Sequence, residues 1–285
     1  MASFQPFLPR IWKLAHGRSL ELGPKAKIMA VLNVTPDSFS DGGDHLNRDV
    51  AIAQAKHMQS EGADIVDIGG ETTKPNAEPI DGATEQQRIL TVIGTLAAGA
   101  HPLISVDTYR AETAQFALEA GAHIVNDIWG CQKEPAIAEV AASSRAGLVI
   151  MNNRREREVL DDLIEDATRF LTRSLEIATR AGVKPDRIVL DPGFGFAATV
   201  DHDIPLLAGL ERLQSLEFPI LVGTSRKRFL GVITGRDPKD RAAGTVATSV
   251  VARLKGAALF RVHDIGVNKD ALAVSDAVIK QGQAL

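Results

Sequence analysis

The stretch PLISVDTYRAETAQFALEAGAHIVND, residues 102–127, shows the pattern from which the fold can be predicted. A short apolar run ends at Asp107, an alanine-rich segment with helical spacing follows at residues 111–120, and a second apolar run ends at Asp127. Continuous apolar runs, rather than alternating apolar and polar residues, are typical of parallel strands that are covered on both faces. The stretch therefore predicts a strand, a helix and a parallel strand in that order.

The same pattern recurs along the chain. Eight apolar runs are found, and they end at Asn33, Gly69, Asp107, Asp127, Met151, Asp191, Gly223 and Val262. Helices are predicted between them, for instance over residues 48–61, 85–98, 111–120, 160–180 and 244–255. The ends of successive runs lie roughly 20 to 40 residues apart, which is enough for one crossover helix each. Eight such units predict an α/β fold, a closed TIM (β/α)8 barrel.

The chain is expected to form a single domain. Its 285 residues contain no polar linker and no shift in composition, and α/β barrels commonly fill such a length as one unit. We assign residues 28–285 to the barrel and residues 1–27 to an N-terminal extension. Within that extension, RSLELG at residues 18–23 is expected to form a short strand or hairpin that covers the bottom of the barrel.

Composition narrows the classes of function. The net charge is -4, which argues against a broad nucleic-acid-binding face. The single cysteine, Cys131, argues against a disulfide framework and against a zinc-thiolate site, and it fits a reducing compartment. Prolines and charges interrupt every apolar run near the N-terminus, and no later run reaches the length of a membrane span. We therefore expect a cytoplasmic protein that binds neither nucleic acid nor membrane.

Polar residues gather where the predicted strands end. In TIM barrels the chemistry takes place at the C-terminal ends of the strands. The residues at or just beyond these ends are Asn33, Asp67, Asp107, Asn126, Asp127, Asp191, Lys227, Arg261 and His263. Because buried charges are costly unless they are paired with each other or with a ligand, this convergence predicts a binding site.

The residue types at this mouth indicate two kinds of ligand group. Carboxylates and an amide, from Asp107, Asn126 and Asp191, suit a flat, nitrogen-rich heterocycle, and a carboxylate beside a ring stabilises developing positive charge. Arg261 and His263, after the last strand, suit an anionic group. A barrel metallohydrolase is the alternative, but no pair of histidines has metal-ligand spacing.

A series of motifs makes the prediction more specific. In chain order they are IMAVLNVTPDSFSDGG, ADIVDIGGETTKPNA, SVDT, ND, DPGFGF, TSRK and RVHD. Together they resemble the dihydropteroate synthase family, from about residue 14 to the C-terminus. The resemblance implies a transferase of folate synthesis that joins 6-hydroxymethyl-7,8-dihydropterin pyrophosphate to para-aminobenzoate through a pterin cation. It also implies a homodimer that forms through helices late in the barrel, although residues 242–258 could equally pack on the barrel itself.

The resemblance also implies roles for individual residues. Asp107 and Lys227 are expected to be catalytic. The pterin ring would be held by Asp107, Asn126, Asp191 and Lys227, with Thr73 near its diphosphate side. Pyrophosphate would be held by Asn33, Arg261 and His263, and Asn33 would also touch a Mg²⁺ that arrives with the substrate. The acceptor would be framed by Phe39, Lys74, Pro75, Gly195, Phe196 and Arg228.

Departures from the family pattern gather on the acceptor side. Residues 72–76 read TTKPN where the family usually has Ser-Thr-Arg-Pro-Gly, and Arg228 replaces a serine. Ala197 and Ala198 replace a Gly-Lys pair, and Asn152 replaces a histidine ahead of the charged run NRRERE. We expect the acceptor carboxylate to be held differently, with altered sulfonamide affinity. The alternatives are a paralogue that uses another amine, a cobalamin-dependent methyltransferase module, and a non-enzymatic pterin-binding barrel.

Overall fold

The computed structural model describes residues 4–35, 44–72, 78–99, 102–197 and 199–283. Its strands are β1 (Arg10–Lys13), β2 (Ser19–Leu22), β3 (Lys27–Asn33), β4 (Ile65–Gly69), β5 (Leu103–Asp107), β6 (Ile124–Asp127), β7 (Gly147–Met151), β8 (Ile188–Asp191), β9 (Leu221–Val222) and β10 (Leu259–Val262). Its α-helices are α1 (Asp44–Ser60), α2 (Gly82–Ala97), α3 (Ala111–Glu119), α4 (Ala136–Ser143), α5 (Leu163–Arg180), α6 (Asp203–Ala208), α7 (Arg228–Thr234), α8 (Ala242–Leu254) and α9 (Ile265–Gln283).

Eight parallel strands form a nearly closed barrel. Their order is β8-β7-β6-β5-β4-β3-β10-β9, and each neighbouring pair is parallel. An isolated parallel bridge between Leu190 and Ile220 joins the two outer strands. This arrangement confirms the predicted TIM barrel. Among the described helices, none has both the length and the apolar character needed to cross a membrane.

Alternation along each strand separates two cores. On β5, Ile104 and Val106 pack in the outer core beneath the helices, whereas Leu103 belongs to a core inside the barrel. Ser105 and Asp107 share the inward side of Leu103 because successive side chains of a strand point to opposite faces. Both faces are thus buried, which explains the continuous apolar runs of the sequence. The inward positions nearest the C-terminal ends are the polar ones.

The N-terminal extension covers the bottom of the barrel, as predicted. β1 and β2 pair as an antiparallel hairpin. Trp12, Leu14 and Leu22 are almost completely buried and complete the core inside the barrel. The indole of Trp12 also donates a hydrogen bond of 2.9 Å to the carbonyl oxygen of Arg187. The division into segments at residues 27 and 28 stays a prediction.

Helix and strand ends lie within a few residues of the predicted ones. α5 begins at Leu163 rather than at residue 160, because the Asp162 side chain accepts from the N–H groups of Ile164 and Glu165. α2 begins three residues earlier than predicted, at Gly82, where Asp81 is the capping residue. β9 ends at Val222, one residue before the predicted end.

Candidate active site

An ion cluster spans the barrel mouth from β10 to β6. Arg261, on β10, donates from Nε to Asp67 Oδ2 and from Nη2 to Asp107 Oδ2, both at 2.7 Å. Asn126 donates from Nδ2 to the same Asp67 oxygen at 3.0 Å. Asp67, to which the sequence assigned no specific role, therefore links Asn126 to Arg261, and Arg261 in turn binds Asp107. Asp67 is completely buried, and its Oδ1 has no hydrogen-bond partner among the described residues.

Charge and burial oppose each other within this cluster. Burial raises the pKa of Asp107 to about 7, an effect that Arg261 counteracts and Asp67 reinforces. Burial also disfavours the charged form of Arg261, but the carboxylates of Asp67 and Asp107 outweigh it and raise the Arg261 pKa above its ordinary value. Arg261 therefore stays charged, while Asp107 titrates close to neutral pH.

Asp191 and Lys227 lie at another part of the mouth, where β8 and β9 end. Asp191, the last residue of β8, accepts at Oδ1 from the N–H of Gly193 at 2.7 Å, and burial raises its pKa to about 6. Burial lowers the pKa of Lys227 to about 8, with a further contribution from Arg261 that Asp191 opposes. The Lys227 ammonium lies 4.4 Å from the centroid of the Phe196 ring. A methyl group on Gly195 would approach the Lys227 Cδ to 2.6 Å, so this glycine lies directly against the lysine stem.

Asn33 and His263 occupy the ends of two neighbouring strands, β3 and β10. Asn33 is exposed, and a methyl group on Gly69 would lie between its Oδ1, at 3.8 Å, and the side chain of Asp107. Ser225 Oγ accepts from the backbone N–H of His263 at 3.1 Å and lies 3.0 Å from its Nδ1. Burial lowers the pKa of His263 to about 4, with Arg261 adding to the effect, so the ring is neutral at pH 7. If the Ser225 hydroxyl donates to Nδ1, the ring proton resides on Nε2.

The three cationic side chains of residues 226–228 lie in three different environments. Arg226, which has a φ of 57°, pairs with Asp264 through Nε at 3.1 Å and Nη2 at 2.5 Å. The partner of Arg226 is therefore a neighbouring carboxylate. Lys227 turns into the site, and Arg228 is exposed as the first residue of α7.

Asp127 does not join the cluster, which corrects the prediction that all nine polar residues converge on the mouth. It follows Asn126 directly, so its side chain points to the other face of β6. Its carboxylate accepts from the N–H groups of Trp129 at 2.8 Å and Cys131 at 2.6 Å. Asp127 therefore stabilises the turn that follows the strand.

Four predicted site residues lie outside the described part of the chain. They are Phe39, Thr73, Lys74 and Pro75. Their predicted roles on the pterin and acceptor sides stay predictions. Of the acceptor residues, the structure describes Gly195, Phe196 and Arg228.

A network that the sequence did not reveal lies under the loop after β8. Asn152 donates to the carbonyl oxygen of Pro192 at 3.2 Å and accepts from Arg157 Nη2 at 2.9 Å. Arg157 also forms a bidentate ion pair with Asp166. Arg154 is completely buried among these groups. A run of charges such as NRRERE normally indicates a solvated segment, and only its position directly after β7 hinted otherwise.

Comparison with known proteins agrees with this geometry. Residues 29–263 match the model of the pterin binding enzyme family. The dihydropteroate synthase of Bacillus subtilis is 42% identical over 264 residues, which cover 93% of this chain and 92% of that protein. Among solved structures, a Clostridium difficile dihydropteroate synthase determined with pteroic acid has a TM-score of 0.88 and 42% identity, covering 91% of this chain and 98% of that one. A Xanthomonas albilineans dihydropteroate synthase with 4-aminobenzoic acid has a TM-score of 0.88 and 39% identity, covering 94% of this chain and 98% of that one.

The family match extends over most of the barrel, from β3 to the residue after β10. The B. subtilis relative and the two solved structures each align with more than nine-tenths of the chain. This chain therefore belongs to the dihydropteroate synthase family of pterin-binding enzymes, which are transferases of folate biosynthesis.

Proposed function

We propose that this chain condenses 6-hydroxymethyl-7,8-dihydropterin pyrophosphate with para-aminobenzoate, giving 7,8-dihydropteroate and pyrophosphate. The observation that carries the proposal is the largely buried cluster of Asp67, Asp107, Asn126 and Arg261 at the barrel mouth. In this cluster, side-chain oxygens that can accept hydrogen bonds from a heterocycle lie beside the Arg261 guanidinium, a permanent cation that suits an anionic group. One solved relative was determined in the presence of pteroic acid and another with 4-aminobenzoic acid, which supports the same pair of substrates.

The pterin ring would lie between Asp107, Asn126, Asp191 and Lys227. Asp191 is buried and Asp107 is largely buried, and carboxylates accept hydrogen bonds from ring N–H and amino groups. The Asn126 amide is oriented by its bond to Asp67, which leaves its oxygen as an acceptor. Lys227 contributes the one ammonium among these groups and stays mostly protonated at pH 7.

Pyrophosphate would bind Arg261, His263 and Asn33. Nε and one N–H of Nη2 of Arg261 donate to the two carboxylates, so both N–H groups of Nη1 and the second N–H of Nη2 can donate to phosphate oxygens. Arg261 can then bind the anion without releasing either carboxylate. A neutral His263 with its proton on Nε2 would supply a second donor.

Mg²⁺ would enter with the pyrophosphate. Within the described ranges, no group of three or more His, Cys, Asp or Glu side chains is placed to hold a metal ion. Asn33 offers a single exposed amide oxygen, a ligand type suited to a Mg²⁺ that keeps its substrate phosphates and waters. When bound, the ion would neutralise charge on the leaving group. The chain's own residues thus fit a substrate-borne metal.

The reaction would proceed through a pterin cation. The C–O bond at the pterin methylene breaks first, and its electron pair leaves with pyrophosphate. The positive charge spreads into the ring, where the ionised carboxylate of Asp107 stabilises it. The amine nitrogen of the acceptor then donates its lone pair to the methylene carbon, and the proton that it loses passes to water. Arg261 holds Asp107 in place by its bond of 2.7 Å.

The acceptor would lie against Gly195 and Phe196, with its carboxylate toward Arg228. Arg228 is exposed at the start of α7, where a guanidinium can bind a carboxylate with two hydrogen bonds. We also assign Phe39, Lys74 and Pro75, which lie outside the described residues, to the acceptor site. A sulfonamide, which mimics the acceptor, should therefore bind with an affinity that changes in Arg228→Ser.

A homodimer and a cytoplasmic location complete the proposal. Apolar side chains are exposed on three late helices: Val232 and Ile233 on α7, Val251 and Leu254 on α8, and Val267, Val274 and Val278 on α9. A second copy of the chain would cover them. The buried free thiol of Cys131 suits a reducing compartment.

One assay tests the proposed function. The protein is given the pterin pyrophosphate with Mg²⁺, and pyrophosphate and dihydropteroate are measured with and without para-aminobenzoate. We expect both products when the acceptor is present. Pyrophosphate release without dihydropteroate would support the proposed cleavage of the pterin pyrophosphate and would favour another amine as the acceptor. The absence of release from folded protein would exclude the synthase reaction.

A further inference from the structure

A buried ion pair lies under the loop that follows β8. The side chain of Arg154 donates from Nη2 to the carbonyl oxygen of Gly193 at 3.0 Å and to Asp203 Oδ1 at 3.3 Å. The same Asp203 oxygen accepts from the N–H of Gly195 at 2.9 Å. The backbone N–H of Arg154 donates to the carbonyl oxygen of Phe196 at 3.0 Å. Arg154 and Asp203 therefore hold the loop of residues 193–196 from below.

This loop lies directly against Lys227. Gly195 has a φ of 75°, and the space where its side chain would be is filled by the Lys227 stem. The Phe196 ring lies 4.4 Å from the Lys227 ammonium. A shift of the loop would therefore move the ammonium, the ring, or both.

Stability alone does not account for the pair. The Arg154 side chain is completely buried, and its Nε and Nη1 have no hydrogen-bond partner among the described residues. Burial lowers the pKa of Arg154, although Asp203 opposes that effect. Apolar residues of similar volume often replace such buried pairs with no loss of stability. Apolar residues, however, cannot form hydrogen bonds with the Gly193 carbonyl oxygen and the Gly195 N–H.

We propose that Arg154, together with Asp203, is a positioning residue that fixes the loop of residues 193–196 and, through it, Lys227 and Phe196. Neither side chain would touch substrate. Arg154 acts through the backbone of the loop, and Asp203 acts through the Gly195 N–H. The inference rests on the proposed function for its catalytic consequence, but the loop geometry is independent of that function.

The test compares stability with substrate use in one set of variants. Arg154→Met leaves Asp203 unpaired and should lower the melting temperature. Adding Asp203→Leu removes the unpaired charge and should restore most of that temperature. In both proteins we expect KM for the pterin pyrophosphate and for para-aminobenzoate to rise by about tenfold or more, because each lacks the Arg154 bond to the Gly193 carbonyl oxygen and the double variant also lacks the Asp203 bond to the Gly195 N–H. Arg154→Lys should give intermediate values.

The matched control makes the same changes in an exposed pair. Arg169 and Glu165 form an ion pair on the surface of α5. Arg169→Met with Glu165→Leu should leave both KM values at the wild-type level. A double variant of Arg154 and Asp203 with restored stability and wild-type KM values would overturn the proposal.

Hydrogen exchange separates this inference from the proposed function. In Arg154→Lys, which keeps the charge and is expected to fold, the amides of residues 193–197 should exchange faster than in the wild type, while those of α3 should not change. This holds even if the wild-type protein makes no dihydropteroate. Unchanged exchange in the loop would contradict the positioning role.

Discussion

Asp107 is the residue on which burial and charge act most directly against each other. Its pKa of about 7 is due mainly to burial, and the contact with Arg261 at 2.7 Å restrains it. The proposed role requires the ionised form, since a neutral acid cannot stabilise a cation by charge. The pterin pyrophosphate would bring a positive centre next to Asp107 only as the C–O bond breaks. The stabilisation is therefore greatest in the transition state.

Replacing Asp107 with asparagine should slow the bond-breaking step selectively. The amide keeps the size of the side chain but lacks its charge, so we expect pyrophosphate release in a single turnover to fall by about 10²-fold or more. Pyrophosphate affinity should change little, because Arg261 and His263 remain. Ser105→Ala, which removes a buried hydroxyl without a hydrogen-bond partner among the described residues, is the control. Turnover of Asp107→Asn within about twofold of the wild type would remove Asp107 from its role.

The pH dependence of kcat/KM should reflect the ionisation of Asp107 and of Lys227. Asp107 becomes ionised as the pH rises through about 7, and Lys227 loses its proton as the pH rises through about 8. Since the proposal needs the carboxylate and the ammonium together, kcat/KM for the pterin pyrophosphate should rise along the first limb and fall along the second. Lys227→Arg keeps its charge to higher pH and should move the upper limb upward. An upper limb that stays in place would show that another group, for instance on the substrate, controls it.

At the scale of elements, the strands were predictable and the contacts between them were not. Continuous apolar runs ending in polar residues identify buried parallel strands, so the ends of β3, β5 and β8 were found to the residue. The cluster at the mouth joins Arg261 to Asp107, which lies 154 residues earlier, and no local pattern encodes such a partner. Arg154 was missed because a charged run resembles a solvated segment, whereas packing under the β8 loop decides its burial.

The hairpin of β1 and β2 should stabilise the barrel without taking part in catalysis. Trp12 is 2% exposed and packs inside the barrel bottom, at the end opposite the polar mouth. Trp12→Ala should lower the free energy of unfolding by about 3–5 kcal/mol, while kcat/KM of the folded protein stays unchanged. Ile11→Ala, at the neighbouring residue that is 51% exposed, should cost no more than about 0.5 kcal/mol. Equal losses in the two variants, measured by chemical denaturation, would contradict the packing role.

At the scale of the whole molecule, the proposed active site and the proposed dimer interface lie on different surfaces. The polar groups lie inside the barrel at the C-terminal ends of the strands, and a group of exposed apolar side chains lies outside it on α7, α8 and α9. A change on the late helices can therefore alter association without touching the ion cluster. This separation makes the dimer testable independently of the chemistry.

Charges placed on α9 should dissociate the proposed homodimer. Val274 and Val278 are 67% and 58% exposed, so a glutamate at either position is compatible with the folded monomer. At a dimer interface the same carboxylates would be buried without partners, which opposes association. We expect sedimentation velocity to show a dimer for the wild type and a monomer for Val274→Glu with Val278→Glu. Phe116→Glu, on α3, is the control because this residue is also exposed but lies away from the late helices. A wild-type monomer at high concentration, or a double variant that remains dimeric, would show that these helices do not form the interface.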